Sequence, residues 1–448
     1  MQIILLSGGS CTRLWPLSND ARSKQFLKVL PICGSDKRES MIQRVVRQMK
    51  EANISASLTV ATSESQKDSV LSQIGNGVDI VTEPCRRDTF PAICLACEYL
   101  SKEKHCSDDE IVVVMPCDPY TEMGYFQAIA KMAEGIGLRL ADMMVMGIKP
   151  TYPSSKYGYV VPDGILSKNG FLNVKRFTEK PDVTTAEKLI GQGAMWNGGV
   201  FAFRLGYITK ISDKYLNYDT FSEYIENYSN FPKISFDYEV AEKAESIGMV
   251  LYDGKWKDLG TWNTLTDELD YTQYGNVITD GSGINTHIFN ELNIPLLCLG
   301  TNDLVVAASH DGIIVAEKKK SEYVKEYAAQ LKRRPMYEEK RWGKYTVLDS
   351  VEFPSGYSTL TKRITLNPNC STSYQRHKYS DKVWTFINGQ GEIVLDGEQL
   401  HIAKGDTIFI PKGQLHALKA TTELTFIEVQ NGHNITEEDI ERVNYQWH

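Results

Sequence analysis

The sequence predicts an α/β domain over residues 1–270, a short β-rich module with a linker helix over 271–335, and an all-β domain over 336–448. Three observations carry this division. Short apolar runs alternate with helical stretches through the first 120 residues, a pattern that builds βαβ units and a mostly parallel sheet. Around 275–318 the chain changes to short β-type runs punctuated by Asn, Gly and Asp. From Arg341 onward short strands recur with the turns Asn388-Gly389, Asp396-Gly397 and Lys412-Gly413. A chain of 448 residues is also too long for one ordinary core.

In the first domain, residues 3–6, 58–61, 78–81, 111–115, 144–148, 174–179 and 199–203 read as strands, and 40–51, 63–75, 92–100, 185–191 and 238–245 as helices. In the module, 304–308 and 312–316 are the clearest strands, and 321–331 is a solvated linker helix between two basic clusters. Charged residues make up 24% of the chain, as in soluble globular proteins. The net charge of −8 argues against a broad nucleic-acid or anionic-membrane surface. No apolar run approaches the ~20 residues that span a bilayer, and the N-terminal run lacks the basic flank of a signal peptide. A cytoplasmic protein is expected. Nine cysteines, an odd number without framework spacing, read as reduced thiols. Cys94 and Cys97 read as buried small residues of a helix.

The N-terminal strand runs into Ser7-Gly8-Gly9-Ser10, with Arg13 and Lys24 close behind. A glycine turn at a strand end can gather backbone N–H groups into an anion-binding nest, and two cations suit a phosphate chain. The longer string, Ser7-Gly8-Gly9-Ser10-Cys11-Thr12-Arg13-Leu14-Trp15-Pro16-Leu17-Ser18 followed by Lys24-Gln25-Phe26-Leu27, resembles the nucleotide-binding signature of sugar-phosphate nucleotidyltransferases, in the mannose-1-phosphate guanylyltransferase branch. The resemblance implies that Leu6, Ser7, Gly8, Gly9 and Thr12 bind the nucleotide and that Arg13 and Lys24 are catalytic. Cys11 stands where the family has glycine, and Ser23 where it has proline.

Four further pieces follow in the family order. Glu83-Pro84-Cys85-Arg86-Arg87-Asp88-Thr89-Phe90-Pro91 resembles the nucleobase-facing segment, which implies nucleotide contacts from Glu83, Arg87 and Thr89; Phe90 replaces an alanine. Met115-Pro116-Cys117-Asp118-Pro119 and Trp256-Lys257-Asp258-Leu259-Gly260-Thr261-Trp262 resemble the segments whose aspartates hold Mg²⁺ (or Mn²⁺), here Asp118 and Asp258, with Pro119 in place of histidine. Two carboxylates on one divalent ion are common in phosphate chemistry. On the sugar side, the resemblance implies contacts from Gly158 in Lys156-Tyr157-Gly158-Tyr159, from Glu179 and Lys180 in Phe177-Thr178-Glu179-Lys180-Pro181, and from Asn197 in Trp196-Asn197-Gly198-Gly199; Lys156 replaces a glycine. Ser235-Phe236-Asp237-Tyr238 also resembles a family segment, and Asp237 reads as a helix N-cap.

The implied substrates are GTP and a sugar 1-phosphate, mannose 1-phosphate first, giving GDP-mannose and pyrophosphate by in-line attack of the sugar phosphate on the α-phosphorus. The attacking phosphate is already ionised, so positioning and charge neutralisation suffice. Another sugar 1-phosphate, another nucleoside triphosphate (CTP, UTP, dTTP), or a non-catalytic subunit that binds nucleotide sugars are the alternatives. The implied folds are a Rossmann-like mixed sheet of the GT-A type, a β-helix-like module and a cupin barrel. A homodimer is expected from the family.

Gly405-Asp406-Thr407-Ile408-Phe409-Ile410-Pro411-Lys412-Gly413-Gln414-Leu415-His416 resembles the second cupin motif, a double-sheet barrel. Two-activity members of the family carry a metal-dependent phosphomannose isomerase there. Gln375, His377 and His416 match its ligands, but Lys382 stands at the glutamate position. Asp381 is one residue away and so faces the other side of a strand. An ammonium group does not ligate a metal. No tightly bound metal and no isomerase are expected, with Gln375, His377 and His416 a vestigial site kept for packing or dimerisation.

Overall fold

A computed structural model describes residues 1–9, 12–32, 34–164, 170–331, 334–433, 435–436 and 439–447. The chain packs into two compact units. One comprises Met1–Ser10, Ser23–Lys67 and Gln73–Leu269; the other comprises Cys11–Arg22, Asp68–Ser72 and Asp270–His448.

The first unit is built on a nine-stranded sheet in the order Asp79–Glu83, Ser57–Ser63, Gln2–Leu6, Ile111–Pro116, Met195–Arg204, Met143–Ile148, Ile247–Tyr252, Leu172–Thr178, Tyr159–Asp163. The first four strands are parallel. Met195–Arg204 runs antiparallel to both of its neighbours, which makes the sheet mixed. Ile3, Ile4, Leu5 and the run from Val112 to Met115 are fully buried, because helices cover both faces of the parallel part. Thr89–Lys102 is one of these helices. It carries Phe90, Cys94 and Cys97 into the core, and burial pushes both thiols well up. Phe90 packs edge-on against Tyr215 and Phe231. Ser40 and Gln43 form a capping box at the start of helix Met41–Glu51. Several elements differ from the sequence expectation: the strands Tyr159–Asp163 and Ile247–Tyr252 and the helices Leu205–Ser212 and Phe221–Glu226 have no counterpart in it. Met123–Gly137 is a fifteen-residue helix where none was expected. The helix expected over 238–245 is instead the short helix Phe236–Glu239 followed by the 3-10 turn Ala241–Lys243.

Parallel strands bring their C-terminal ends to one edge, where ligands of such sheets bind. Leu6 is in register with Ala61 and with Pro116, so the glycine turn and Asp118 emerge side by side. A two-stranded ribbon then pairs Pro119 with Asp258 and carries the second aspartate to the first.

In the second unit, Gln273–Gly275, His287–Asn290 and Leu304–Ser309 stack in parallel, with Gly312–Glu317 antiparallel at the end. Val277–Thr279 and Leu296–Cys298 form a second parallel pair. Successive parallel strands wound this way are the coils of a β-helix, with Asn290 Nδ2 donating to the carbonyls of Asn276 and Ile294 inside the winding. The solvated helix expected over 321–331 is instead a 3-10 stretch, Lys318–Tyr323, and a short helix, Val324–Ala328, with Ser321, Val324 and Ala328 buried. Residues 12–22 pack on this module. Arg22 makes a bidentate pair with Glu291 (2.8 and 3.0 Å), Ser309 donates to Pro16, and Asn19 donates to Asp311. The chain then forms a six-stranded and a five-stranded sheet around Trp384, Phe386, Ile393, Leu418 and Phe426, the double-sheet barrel of a cupin. Among the described residues, no helix is long and apolar enough to cross a membrane.

Candidate active site

The glycine turn is held from below by buried amides and hydroxyls. Ser7 N–H donates to the Ala61 carbonyl at 2.8 Å. The Ser7 carbonyl accepts from Gln25 Nε2 and Thr62 Oγ1, both at 3.2 Å. The Gly9 carbonyl accepts from Ser23 Oγ at 3.0 Å and Gln66 Nε2 at 3.2 Å, and Gln66 also donates to Ser23 at 2.7 Å. Ser23 therefore gives the turn a hydroxyl anchor that a proline could not. Gly9 has φ +121, a conformation that strains any side chain. Gln25, Gln66 and Thr62 escaped the sequence reading; uncharged polar residues beside an apolar strand end were their only signal. Thr12 and Arg13 lie on the 3-10 turn Thr12–Leu14, which belongs to the second unit. Ser10 and Cys11 lie outside the described residues.

Glu83 ends its strand beside the turn: a Cβ on Gly8 would lie 3.6 Å from Glu83 Oε2. Tyr228 OH donates to Glu83 at 2.7 Å, and burial raises the carboxyl above its ordinary range. Arg87 is partly buried in the following loop. Thr89 Oγ1 accepts from Phe236 N–H at 2.9 Å and so joins its helix to the 236–239 segment.

Lys24 Nζ stands between the two aspartates, 2.7 Å from Asp118 Oδ2 and 2.8 Å from Asp258 Oδ1. Burial works against its charge, and the two carboxylates more than offset it, so Lys24 is held well above its ordinary value. Both aspartates keep substantial exposure, 30% and 42% of their side chains, against 10% for Lys24. Two adjacent, accessible carboxylates fit a divalent cation. Next to Asp258 opens a cavity of about 570 Å³ whose walls include Tyr152, Tyr157, Trp196 and Trp256. Tyr157 packs against Trp196 and Trp256 at 4.9 and 5.5 Å between ring centroids.

Gly158, Glu179, Lys180 and Asn197 form one cluster. A Cβ on Gly158 would fall 2.4 Å from Glu179 Oε2 and 3.3 Å from Asn197 Cβ, so only glycine leaves room there. Glu179 is 8% exposed, and its Oε2 has no hydrogen-bond partner. Its other oxygen pairs with Lys180 Nζ. Lys180 adopts φ +44, a left-handed conformation at the strand end. Asn197 is clamped at both ends: Nδ2 donates to Asp237 Oδ1 at 2.7 Å, and Oδ1 accepts from Gly199 N–H at 3.1 Å. Asp237 is thus no cap. Ser235 caps the helix by accepting from Tyr238 N–H, and Asp237 turns its carboxylate into the cluster. Burial first, then the Glu179 carboxylate, push Asp237 up to about 7.

In the cupin, Gln375, His377 and His416 do come together. Gln375 pairs with His416 in strand register, the two imidazoles stack at 5.5 Å, and Gln375 Nε2 lies 3.5 Å from His377 Nε2. Lys382 points inward with Trp384 and Phe386, while Asp381 on the opposite face accepts from Lys412 N–H. Lys382 Nζ pairs at 3.0 Å with Glu428, which also accepts from the Trp384 indole at 2.8 Å. Burial opposes the Glu428 charge, but Lys382, Lys362 and Trp384 hold the carboxyl at about 2. Burial, then the Lys382 charge, lower His377 to about 3 and His416 to about 4, so both rings are neutral at pH 7. An ammonium paired with the nearest carboxylate does not fit a metal-ligand set. Among the described residues, no group of three or more His, Cys, Asp or Glu is placed to hold a metal ion. Glu428 was missed in the sequence; its signal was a charged residue in the inward register of Leu424, Phe426 and Gln430.

An α/β sheet that gathers a glycine turn, two carboxylates bridged by a lysine and a polar cluster at one edge is the fold of a nucleotidyltransferase. The chain belongs to the nucleotidyl transferase family, whose model matches residues 2–273, and its tail matches the mannose-6-phosphate isomerase C-terminal family over residues 328–445. It is 30% identical to the xanthan biosynthesis protein XanB of Xanthomonas campestris pv. campestris (strain B100), over 98% of this chain and 97% of that protein. It is 27% identical to a mannose-1-phosphate guanylyltransferase of Klebsiella pneumoniae, over 99% of this chain and 98% of that protein. A crystal structure described as mannose-1-phosphate geranyltransferase from Thermus thermophilus is similar over 74% of this chain and 99% of that one, with 26% identity and a TM-score of 0.60.

Proposed function

We propose that this protein is a mannose-1-phosphate guanylyltransferase, joining mannose 1-phosphate to GTP to give GDP-mannose and pyrophosphate. The observation that carries the reading is the Asp118–Lys24–Asp258 bridge at the C-terminal edge of the sheet. Full-length similarity to mannose-1-phosphate guanylyltransferases supports the choice of substrates.

In this reading Leu6, Ser7, Gly8 and Gly9 bind the nucleotide phosphates, and Glu83, Arg87 and Thr89 bind toward the base. Asp118 and Asp258 would hold magnesium or manganese, which neutralises phosphate charge when bound. Lys24 supplies fixed positive charge to the phosphates. Gly158, Glu179, Lys180 and Asn197 bind the sugar 1-phosphate, with the unpaired Glu179 oxygen free to accept from a sugar hydroxyl. A phosphate oxygen of the sugar forms a bond to the α-phosphorus as the bond to pyrophosphate breaks. No general base is required, because the nucleophile is already an anion.

For the cupin, the Lys382–Glu428 pair supports a barrel that neither holds a tight metal nor isomerises mannose 6-phosphate. A cytoplasmic place follows from the nucleotide and sugar phosphate the reaction would consume. Homodimerisation rests on the family resemblance, and sedimentation reads it directly. The test of the main reading is a panel of GTP, CTP, UTP and dTTP against several sugar 1-phosphates. GTP with mannose 1-phosphate is expected to release pyrophosphate fastest. A different preferred pair would move the substrate assignment, and tight binding of GDP-mannose without any turnover would make the chain a binding subunit.

A further inference from the structure

The sugar cluster contains one carboxylate that the proposed reaction does not use. Asp237 sits behind Asn197 and beside Glu179, and its carboxylate accepts from the Asn197 amide at 2.7 Å. Because Gly199 N–H holds the other end of that amide, Asn197 cannot rotate while Asp237 is in place. One Nδ2 hydrogen remains for a further acceptor, and the Glu179 Oε2 that lies under Gly158 has no hydrogen-bond partner. A donor and an acceptor in one cluster are the groups that hydroxyls bind.

The charges around Asp237 come from three elements. The turn after Leu172–Thr178 supplies Glu179 and Lys180. The strand Met195–Arg204 supplies the neutral Asn197. The 236–243 segment supplies Tyr238, whose ring lies 5.9 Å from Lys180 Nζ, and Glu242, which accepts from Glu179 N–H at 2.7 Å. Lys180 is the cation that acts on Asp237, and it pairs with Glu179; Lys243 of the same segment pairs with Glu239. When its ammonium turns to an incoming phosphate, Glu179 and Asp237 lose their counter-charge in a partly buried place. Two such carboxylates do not both stay ionised.

Resting on the sugar-side reading above, we propose that Asp237 is a positioning residue of the sugar subsite, which fixes the Asn197 amide and takes up one proton from solvent when Lys180 leaves Glu179 for the sugar phosphate. The upward push on Asp237 from burial and from Glu179 agrees with this. An asparagine at 237 would still accept from Asn197 but could not take up the proton; an alanine would release Asn197.

The test uses the full chain and the nucleotide and sugar 1-phosphate that the wild type turns over best, so that a wrong substrate assignment does not count against Asp237. Asp237→Ala is expected to raise KM for the sugar 1-phosphate at least about tenfold, with KM for the nucleotide within about twofold. For the wild type relative to Asp237→Asn, the KM ratio for the sugar 1-phosphate rises with pH above about 7, by up to about tenfold per pH unit. Taking the ratio cancels the titration of the sugar phosphate itself. Calorimetry in buffers of different ionisation enthalpy should record up to about one more proton taken up by the wild type at about pH 8. A KM ratio that is flat with pH, or equal rises in both KM values for Asp237→Ala, would overturn the proposal.

Discussion

Lys24 and Asp118 are joined by a 2.7 Å ion pair at the mouth of the sheet, and Asp258 closes the bridge from the other side. A buried ammonium between two carboxylates does what a divalent cation does: it cancels their repulsion. Removing either carboxylate should therefore abolish the reaction without unfolding the chain. Asp118→Asn and Asp258→Asn are each expected to lower pyrophosphate release by at least about a hundredfold, with circular dichroism unchanged. Chelation of divalent ions should stop release in the unaltered protein, and added Mg²⁺ should restore it. Normal turnover of either variant would remove the metal assignment.

Ser23 is the anchor of the glycine turn, through its 3.0 Å bond to the Gly9 carbonyl. Ser23→Ala removes this bond and leaves Gln66 with one partner fewer. A loss of about 1 kcal/mol in holding the turn corresponds to about a fivefold higher KM for the nucleotide. KM for the sugar 1-phosphate should stay within about twofold. Equal changes in both would mean that Ser23 supports the fold rather than the turn.

The Lys382–Glu428 pair sits inside the cupin, both residues under a tenth exposed. Lys382→Met leaves a buried carboxylate without its cation and is expected to destabilise the barrel by about 3–5 kcal/mol. The double variant Lys382→Met/Glu428→Leu should recover most of that loss, because replacing both partners by apolar groups removes the unpaired charge. Calorimetric unfolding of the two variants reads the difference. A double variant no more stable than the single one would contradict the pairing.

The cupin should also be sensitive to acid. Unfolded histidines take up protons below about 6.5, whereas folded His377 and His416 resist protonation down to about 3 and about 4. Stability present above the unfolded value is therefore lost as pH falls through this window, by up to about 1.4 kcal/mol per pH unit for each ring. Glu428, held at about 2, adds a loss in the same direction below the ordinary carboxylate range. His377→Gln should flatten the pH dependence of unfolding between about pH 6 and 4. An unchanged slope would mean that His377 titrates alike in the folded and unfolded states.

Much of this molecule was legible in one dimension. Fully buried parallel strands announce themselves as unbroken apolar runs, as Ile3 to Leu5 and Val112 to Val114 do. The resemblance set Lys382 at an inward position and strand alternation set Asp381 on the opposite face, and the barrel keeps that register. The helix Met123–Gly137 was missed because Gly124, Gly135 and Gly137 weaken its signal and Glu122 makes no side-chain cap. Asp237 was misread because a cap is a local inference, whereas its partner Asn197 is forty residues away. Arg13 sits beside the turn in sequence, but the ties of Pro16, Asn19 and Arg22 to Ser309, Asp311 and Glu291 gather its segment into the second unit. Contacts across nearly 300 residues leave no mark in a short window of sequence.

The central claim is transfer of a guanylyl group, and isotope position tests it most directly. With mannose 1-phosphate and GTP labelled at either the α- or the γ-phosphate, the α-label should appear in GDP-mannose and the γ-label in pyrophosphate. Label from the γ-phosphate in the sugar product, or no labelled sugar product at all, would contradict it.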